Sequence, residues 1–240
     1  MMVGIFKDLP ARVLAIFAHP DDAETACGGT LATFAKNGSS VKLIYLAAGD
    51  KGSFDMSLEP RRVAEIRQFE ANNAALHLGI DSVESYMIPD GEIFETEDLR
   101  FKIVKQIRSF RPNVVICPDP TAVFFPGNYY NHRDHRTTGL AVMDCISPEA
   151  AMPFYHREAG EPYQVPTVLL SGTLHPDTAV DVSDGIDQKI KAVLAYESRV
   201  KNDASYISEF LRKSAQRDGK LGDIAYAENF RRIVLNSSDY

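Results

Sequence analysis

Residues Val13-Leu14-Ala15-Ile16-Phe17 form an uninterrupted apolar run that stops at Ala18-His19-Pro20-Asp21-Asp22-Ala23-Glu24. A short aliphatic run bounded by turn residues predicts a central strand buried on both faces, so helices must cover it above and below. That requirement points to an α/β fold whose chemistry sits at the carboxyl ends of the strands. One imidazole and two carboxylates occupy four positions at this strand end.

The rest of the chain alternates in the same way. A helix is predicted from about Glu24 to Lys36, closed by Asn37-Gly38, followed by a strand over Val41 to Leu46. Pro60 opens a helix that runs to Leu78, with Gly79 as its left-handed stop. A short strand from Ser85 to Ile88 leads into the turn Pro89-Asp90-Gly91, and Thr96 caps a helix through Phe110. Val114 to Cys117 is the next buried strand. The loop from Pro118 to Asn131 lacks periodicity and is long enough to suggest a function. A helix is expected from His135 or Arg136 to Ile146, strands over Val168 to Ser171 and Val180 to Val182, and a helix capped by Ser183-Asp184 running through Tyr196. Beyond Lys201 the chain is polar, with a helical pattern near Ile207 to Leu211. The fold expected is a Rossmann-like three-layer sandwich around a mostly parallel sheet, with residues 1–240 as a single domain.

Composition narrows the function. The 240 residues are 45% hydrophobic and 25% charged with a net charge of -7, which speaks against nonspecific nucleic-acid binding. Cys27, Cys117 and Cys145 are far apart and form no CxxC pair, as expected of reduced thiols in a cytoplasmic protein. Neither an apolar leader nor a run near the roughly 18 residues of a membrane span is evident.

A second cluster, Asn131-His132-Arg133-Asp134-His135, follows the later strand. His19 and Asp22 can converge across the Pro20 turn, and His135 can supply a third ligand. Two nitrogens and a carboxylate oxygen suit Zn²⁺ with an open fourth position; Fe²⁺ or another divalent ion is also compatible. Asp21 is then placed to take a proton from water, and His132 to hold an oxyanion or protonate a leaving amine. Alone, His-Pro-Asp reads as a turn whose Asp22 caps the next helix; two such clusters after strands of one α/β pattern favour a metal hydrolase. Gly28-Gly29-Thr30 lacks the dinucleotide spacing, and Ser53 and Ser171 have no His-acid partners nearby. His77 reads as structural, and His156 and His175 as surface groups. A metal-dependent phosphoesterase and a noncatalytic binding module of the same fold are the competing readings.

His19-Pro20-Asp21-Asp22-Ala23-Glu24 with Gly28-Gly29-Thr30, then His132-Arg133-Asp134-His135, resembles the PIG-L/LmbE-like family of zinc-dependent N-deacetylases. Gly49-Asp50-Lys51-Gly52, Arg62-Val63-Ala64-Glu65, Leu78-Gly79-Ile80, Asp90-Gly91 and Arg111-Pro112-Asn113-Val114-Val115 continue the likeness, in order, over roughly residues 11–146. The resemblance implies removal of the acetyl group from an N-acetylglucosaminyl compound. It implies His19, Asp22 and His135 as zinc ligands, Asp21 as general base, and His132 as an aid at the oxyanion or amine with Asp134 tuning its charge. It further implies Arg62 and Asp90 as contacts to the sugar hydroxyls and Tyr130 as a residue over the reacting carbonyl. The partner implied is a small amino-sugar, with no nucleic acid and no membrane insertion; a homo-oligomer is compatible. Arg133 stands where the family usually has Pro, placing a cation near the mouth that could face an anionic substrate or a partner subunit.

Overall fold

The computed structural model describes residues 3–80, 82–200 and 203–235. The apolar run becomes β2 (Arg12–Phe17), and its neighbours are β3 (Ser40–Ala47) on one side and β5 (Val114–Pro118) on the other, both parallel to it. Side chains alternate across β2 as a pleated strand requires. Val13, Ala15 and Phe17 enter one core with α1 (Asp22–Lys36) and α2 (Pro60–Leu78), while Leu14 and Ile16 enter another with α3 (Glu97–Phe110) and α4 (Arg133–Asp144). All five are at most 1% exposed, so the strand is buried on both faces as its composition demanded.

Eight strands form the sheet in the order β1-β9-β10-β8-β5-β2-β3-β4, where β1 is Gly4–Ile5, β4 Ser82–Ile88, β8 Thr167–Ser171, β9 Thr178–Asp181 and β10 Ala227–Val234. Every pairing is parallel except those of β10, which runs antiparallel between β8 and β9. The architecture is therefore the mostly parallel three-layer one expected. From β2 the chain winds out to β3 and β4, then returns to β5 on the other side. That reversal opens a crevice at the carboxyl ends of β2 and β5.

Several elements differ from expectation. The loop after β5 holds a small hairpin, β6 (Phe124–Phe125) with β7 (Tyr129–Tyr130), turning at Pro126-Gly127-Asn128. Helix α4 starts at Arg133 rather than 135 or 136, because the His132 ring accepts the Asp134 N–H at 3.1 Å and serves as its cap. Ser183 does not cap α5 (Ile186–Leu194); its hydroxyl turns back onto Asp181 at 2.6 Å, and Gly185 precedes the first turn. The helix ends at Leu194, and a four-residue helix α6 (Glu197–Val200) begins after Tyr196. The polar segment holds a long helix, α7 (Ala204–Gly219), which packs Leu211 and Ala215 onto Ile186, Ile190 and Val193 of α5.

Helix α1 is two helices joined at Cys27, whose φ of -142° and ψ of 20° are not helical. The break exposes N–H groups that an unbroken helix would have satisfied. Glu228 on β10 accepts from Gly29 N at 3.0 Å and Thr30 N at 2.7 Å, and its charge is matched by buried Lys189 at 2.5 Å. Gly29 also permits the approach, since a Cβ there would lie 2.9 Å from the Cβ of Val182. Gly29 thus lets the layers approach closely where the helix needs an outside acceptor.

Candidate metal centre and active site

Loops from four parallel strands meet in the crevice: residues 18–22 after β2, 49–52 after β3, 89–91 after β4 and 119–132 after β5. His19, His132 and His135 come together there, with ligating atoms all within 4.8 Å of one another. The tightest triangle uses Asp22 in place of His132. His19 Nδ1, Asp22 Oδ2 and His135 Nε2 are separated by 3.3, 3.2 and 3.3 Å. Ligands held about 2.0–2.1 Å from a tetrahedral ion would be separated by about 3.3–3.4 Å. These three atoms therefore fit one face of such a tetrahedron.

Surrounding partners decide which nitrogen of each ring offers a lone pair. His19 Nε2 lies 3.1 Å from Asp134 Oδ2, a carboxylate that can only accept, so the proton sits on Nε2 and Nδ1 is left as the acceptor. For His135 the orienting group is Asn131. Its amide nitrogen donates to Ala122 O at 2.8 Å, which turns Oδ1 toward His135 Nδ1 at 3.2 Å. His135 Nε2 is then the free acceptor. Three acceptors facing one another call for a positive centre between them, a metal ion or a proton, and outer partners of this kind orient metal-ligating imidazoles.

The electrostatics agree. Burial presses the His19 pKa down, but hydrogen bonds to Asp134 and Asp22 overcome it and hold the ring at about 10. Burial would raise Asp22, yet His135 and His19 keep it far below the usual carboxylate range. The cluster is built around positive charge.

Asp22 does not cap α1. Its Oδ2 accepts from His19 N at 2.8 Å and faces the triangle, and no side-chain cap hydrogen bond is made at the start of the helix. Asp21 holds the N-cap position with a left-handed φ of 92°, a conformation costly for a residue with a side chain. Burial lifts its pKa, opposed by Arg67 and reinforced by Asp22. Its oxygens reach Arg67 Nη2 at 3.1 Å and Arg199 Nε at 3.3 Å.

The remaining candidates divide. Asp90 lines the cavity in front of the triangle, although its carboxylate already accepts from Gly49 N and Lys51 N. Arg62 sits on the outside of α2, paired with Glu65 at 3.1 Å, and does not line that cavity. Tyr130 is 56% exposed with its hydroxyl bound by Arg136 at 2.6 Å; Tyr129 is the hairpin tyrosine on the cavity wall. Asp134 is fully buried and serves His19, lying 3.9 Å from His132 Nδ1. Arg133 donates to Gly91 O and covers the Phe94 ring at 4.2 Å, so it clamps the Asp90-Gly91 turn. His156 is not a surface group: it pairs with Glu149 at 2.8 Å, away from the crevice. His77 and His175 are exposed.

Sequence reasoning missed Arg67, Arg199 and Lys51. Arg67 carried a signal, being a charge on the buried stripe of α2 with Val63, Ala71, Ala74 and Leu78. Its guanidinium also donates to Pro20 O and lies 5.4 Å over the Tyr196 ring, pinning the turn between His19 and Asp21. Lys51 lies in the Gly49-Asp50-Lys51-Gly52 stretch of the family likeness but was given no role there, and Arg199 sits in a polar segment among other charges.

Comparison with known proteins places this geometry. Residues 14–146 match the family model of PIG-L, GlcNAc-PI de-N-acetylase. The chain is 32% identical over 231 residues to diacetylchitobiose deacetylase of Thermococcus kodakarensis, covering 94% of this chain and 84% of that protein. Its structure superposes on N,N'-diacetylchitobiose deacetylase from Pyrococcus horikoshii with a TM-score of 0.85 at 27% identity, covering 95% and 88% of the two chains. The fold alone is shared with GalB, the 4-carboxy-2-hydroxymuconate hydratase of Pseudomonas putida, at a TM-score of 0.78 and 21% identity. Fold and site define an enzyme of the metal-dependent amidohydrolase class, with its site at a sheet's switch point. The chain belongs to the PIG-L family of N-deacetylases. Among the described residues, no helix is long and apolar enough to cross a membrane.

Proposed function

We propose that the protein hydrolyses the acetamide of an N-acetylglucosaminyl compound, with Zn²⁺ held by His19, Asp22 and His135. The observation that carries this reading is the triangle of converging acceptors in a chain of this family. The chemistry an ion supplies there is polarisation of the amide carbonyl and acidification of water. Asp21, next to Asp22 and raised by burial, accepts the proton of the attacking water. Arg67 and Arg199 fix its two oxygens in place. His132 accepts the Asp134 N–H through Nδ1, which leaves Nε2 to donate. Burial and the neighbouring His19 lower its pKa, so it works as a neutral donor to the oxygen on which charge develops. Asp134 acts by orienting His19. The sugar hydroxyls lie against Asp90 and Lys51 in the cavity in front of the triangle. Three buried free cysteines suit a reducing, cytoplasmic setting.

The test is acetate release from N-acetylglucosamine, N,N'-diacetylchitobiose and an inositol-linked N-acetylglucosaminide, alongside metal stoichiometry. Acetate from at least one of them with one ion per chain is expected. Two ions about 4 Å apart with activity on phosphoesters would favour phosphoester hydrolysis instead.

A further inference from the structure

The Asp90-Gly91 turn at the edge of the cavity depends on hydrogen bonds for its place. Gly91 has a left-handed φ of 83°, and a Cβ there would meet nothing within 4 Å. Glycine also loses more freedom on ordering than any other residue. Two separate parts of the chain restrain the turn. Residues 49–51 hold Asp90: its carboxylate accepts from Gly49 N at 2.8 Å and Lys51 N at 3.2 Å, and its own N–H donates to Asp50 Oδ1 at 2.8 Å. Residues 133 and 134 hold Gly91 from both ends. Asp134 Oδ2 accepts the Gly91 N–H at 2.7 Å, and Arg133 Nη1 donates to Gly91 O at 2.8 Å. Beyond the glycine, Arg133 Nη2 lies 3.5 Å from Ile93 O. The same Asp134 oxygen orients His19 at 3.1 Å, so the turn and one corner of the triangle share an anchor. Arg133 does not line the cavity; its guanidinium is taken up by the turn and by the Phe94 ring rather than offered to a ligand.

We propose that Arg133 is a specificity-determining positioning residue: it fixes the Asp90 carboxylate beside the acceptor triangle and so sets how strongly sugar hydroxyls are recognised. This rests on the amino-sugar reading of the same site. An ionised carboxylate has about four acceptor positions. Backbone N–H groups take two of them at Asp90, and the rest remain for hydroxyl donors. A rigid ring gains most from those bonds where the carboxylate is already fixed. Such bonds form equally in the ground state and the transition state, so loosening the turn acts on KM and spares kcat.

Arg133→Pro isolates the grip. Position 133 is the first residue of α4, where proline is favoured, and His132 before it has ψ of 141°, as a following proline requires. Helix and cap should therefore survive. The KM of methyl N-acetylglucosaminide should rise about tenfold, the scale of one lost hydrogen bond from a charged group, with kcat and metal content unchanged. Arg133→Lys, which can still donate to Gly91 O, should recover part of the loss. The 3-deoxy or 4-deoxy analogue that lacks the hydroxyl bound by Asp90 should show no such rise. Amide hydrogen exchange over residues 89–94 should quicken about tenfold in the proline variant. Should that variant fail to fold, Arg133→Ala should give the same pattern.

A KM that does not move, or an equal rise for the parent and both deoxy analogues, overturns the proposal. So does unchanged exchange over residues 89–94, whatever the substrate. If the wild type deacetylates no glucosaminide while the exchange quickens as expected, the amino-sugar reading has failed and the positioning by Arg133 stands.

Discussion

Two polar clusters are built on residues only two apart on α1, one part-buried around Asp22 and one buried around Glu24, and they are satisfied in opposite ways. Around Glu24, donors meet acceptors: the Tyr45 hydroxyl reaches both carboxylate oxygens at 2.7 Å and the Tyr196 hydroxyl reaches one at 3.0 Å. Around Asp22, acceptors meet acceptors, with two imidazole lone pairs and a carboxylate oxygen aimed at one another. The first cluster is complete with protons it already owns. The second needs a positive centre among its acceptors, a metal ion or a proton held on His19. Burial and titratable residues alone do not separate a structural cluster from a chemical one; the matching of donors to acceptors does.

Removing a corner of the acceptor triangle tests the contrast most severely. His135→Ala should lower metal content and hydrolysis together, and full metal occupancy by mass spectrometry in that variant would break the distinction. Asp21→Asn should keep the ion while kcat falls by about 10² or more, as expected for a lost general base; an unchanged rate would remove Asp21 from the mechanism.

The Glu24 cluster should respond to pH through stability. Burial lifts its carboxyl from 4.5 to about 7 against the two tyrosines, so the folded state holds the proton more tightly than the unfolded chain. Its contribution is complete below pH 4.5 and lost as the pH rises through about 7. The loss is on the order of 3 kcal/mol. Glu24→Gln, fixed in the neutral form, should show a flatter melting temperature from pH 5 to 8 than the wild type. Parallel curves would mean the carboxylate is accommodated as well as the acid. The smallest effect is expected from Arg62→Ala, which removes an exposed helix pair and should leave melting temperature and kcat/KM nearly unchanged. A tenfold fall in kcat/KM would return Arg62 to the substrate site.

The regions that were legible in the sequence are those whose signals are local. Helix α2 starts at Pro60 and ends at Leu78, as read, because proline fixes the first turn and Gly79 takes a left-handed φ of 72°. Strand β2 and the turn after it were legible because an apolar run cannot continue through His-Pro-Asp-Asp. Strand β10 was not, since Glu228, Asn229, Arg231 and Arg232 interrupt any apolar pattern; its place is set by pairing with β8 and β9. The site shows the same divide. His19, Asp22 and His135 could be named from spacing, but the group that orients His19 is Asp134, 115 residues away. The resemblance paired Asp134 with His132, whose Nδ1 lies 3.9 Å from the same carboxylate. Tyr129 and Tyr130 were equivalent as letters, and the two-residue alternation of a hairpin strand decides which one faces the cavity.

The carboxylate of Glu228 closes a loop of 199 residues when it meets Gly29. A nascent chain has made every residue of the acceptor triangle by residue 135, yet the helix carrying Asp22 still lacks the acceptor for its broken middle. During synthesis the second half of α1 must remain uncapped until β10 slots between β8 and β9. Order in the site is thus tied to a segment made well after His135 itself. Long-range closures of this kind are slow, and early intermediates would expose the site's histidines on a helix not yet fixed in place.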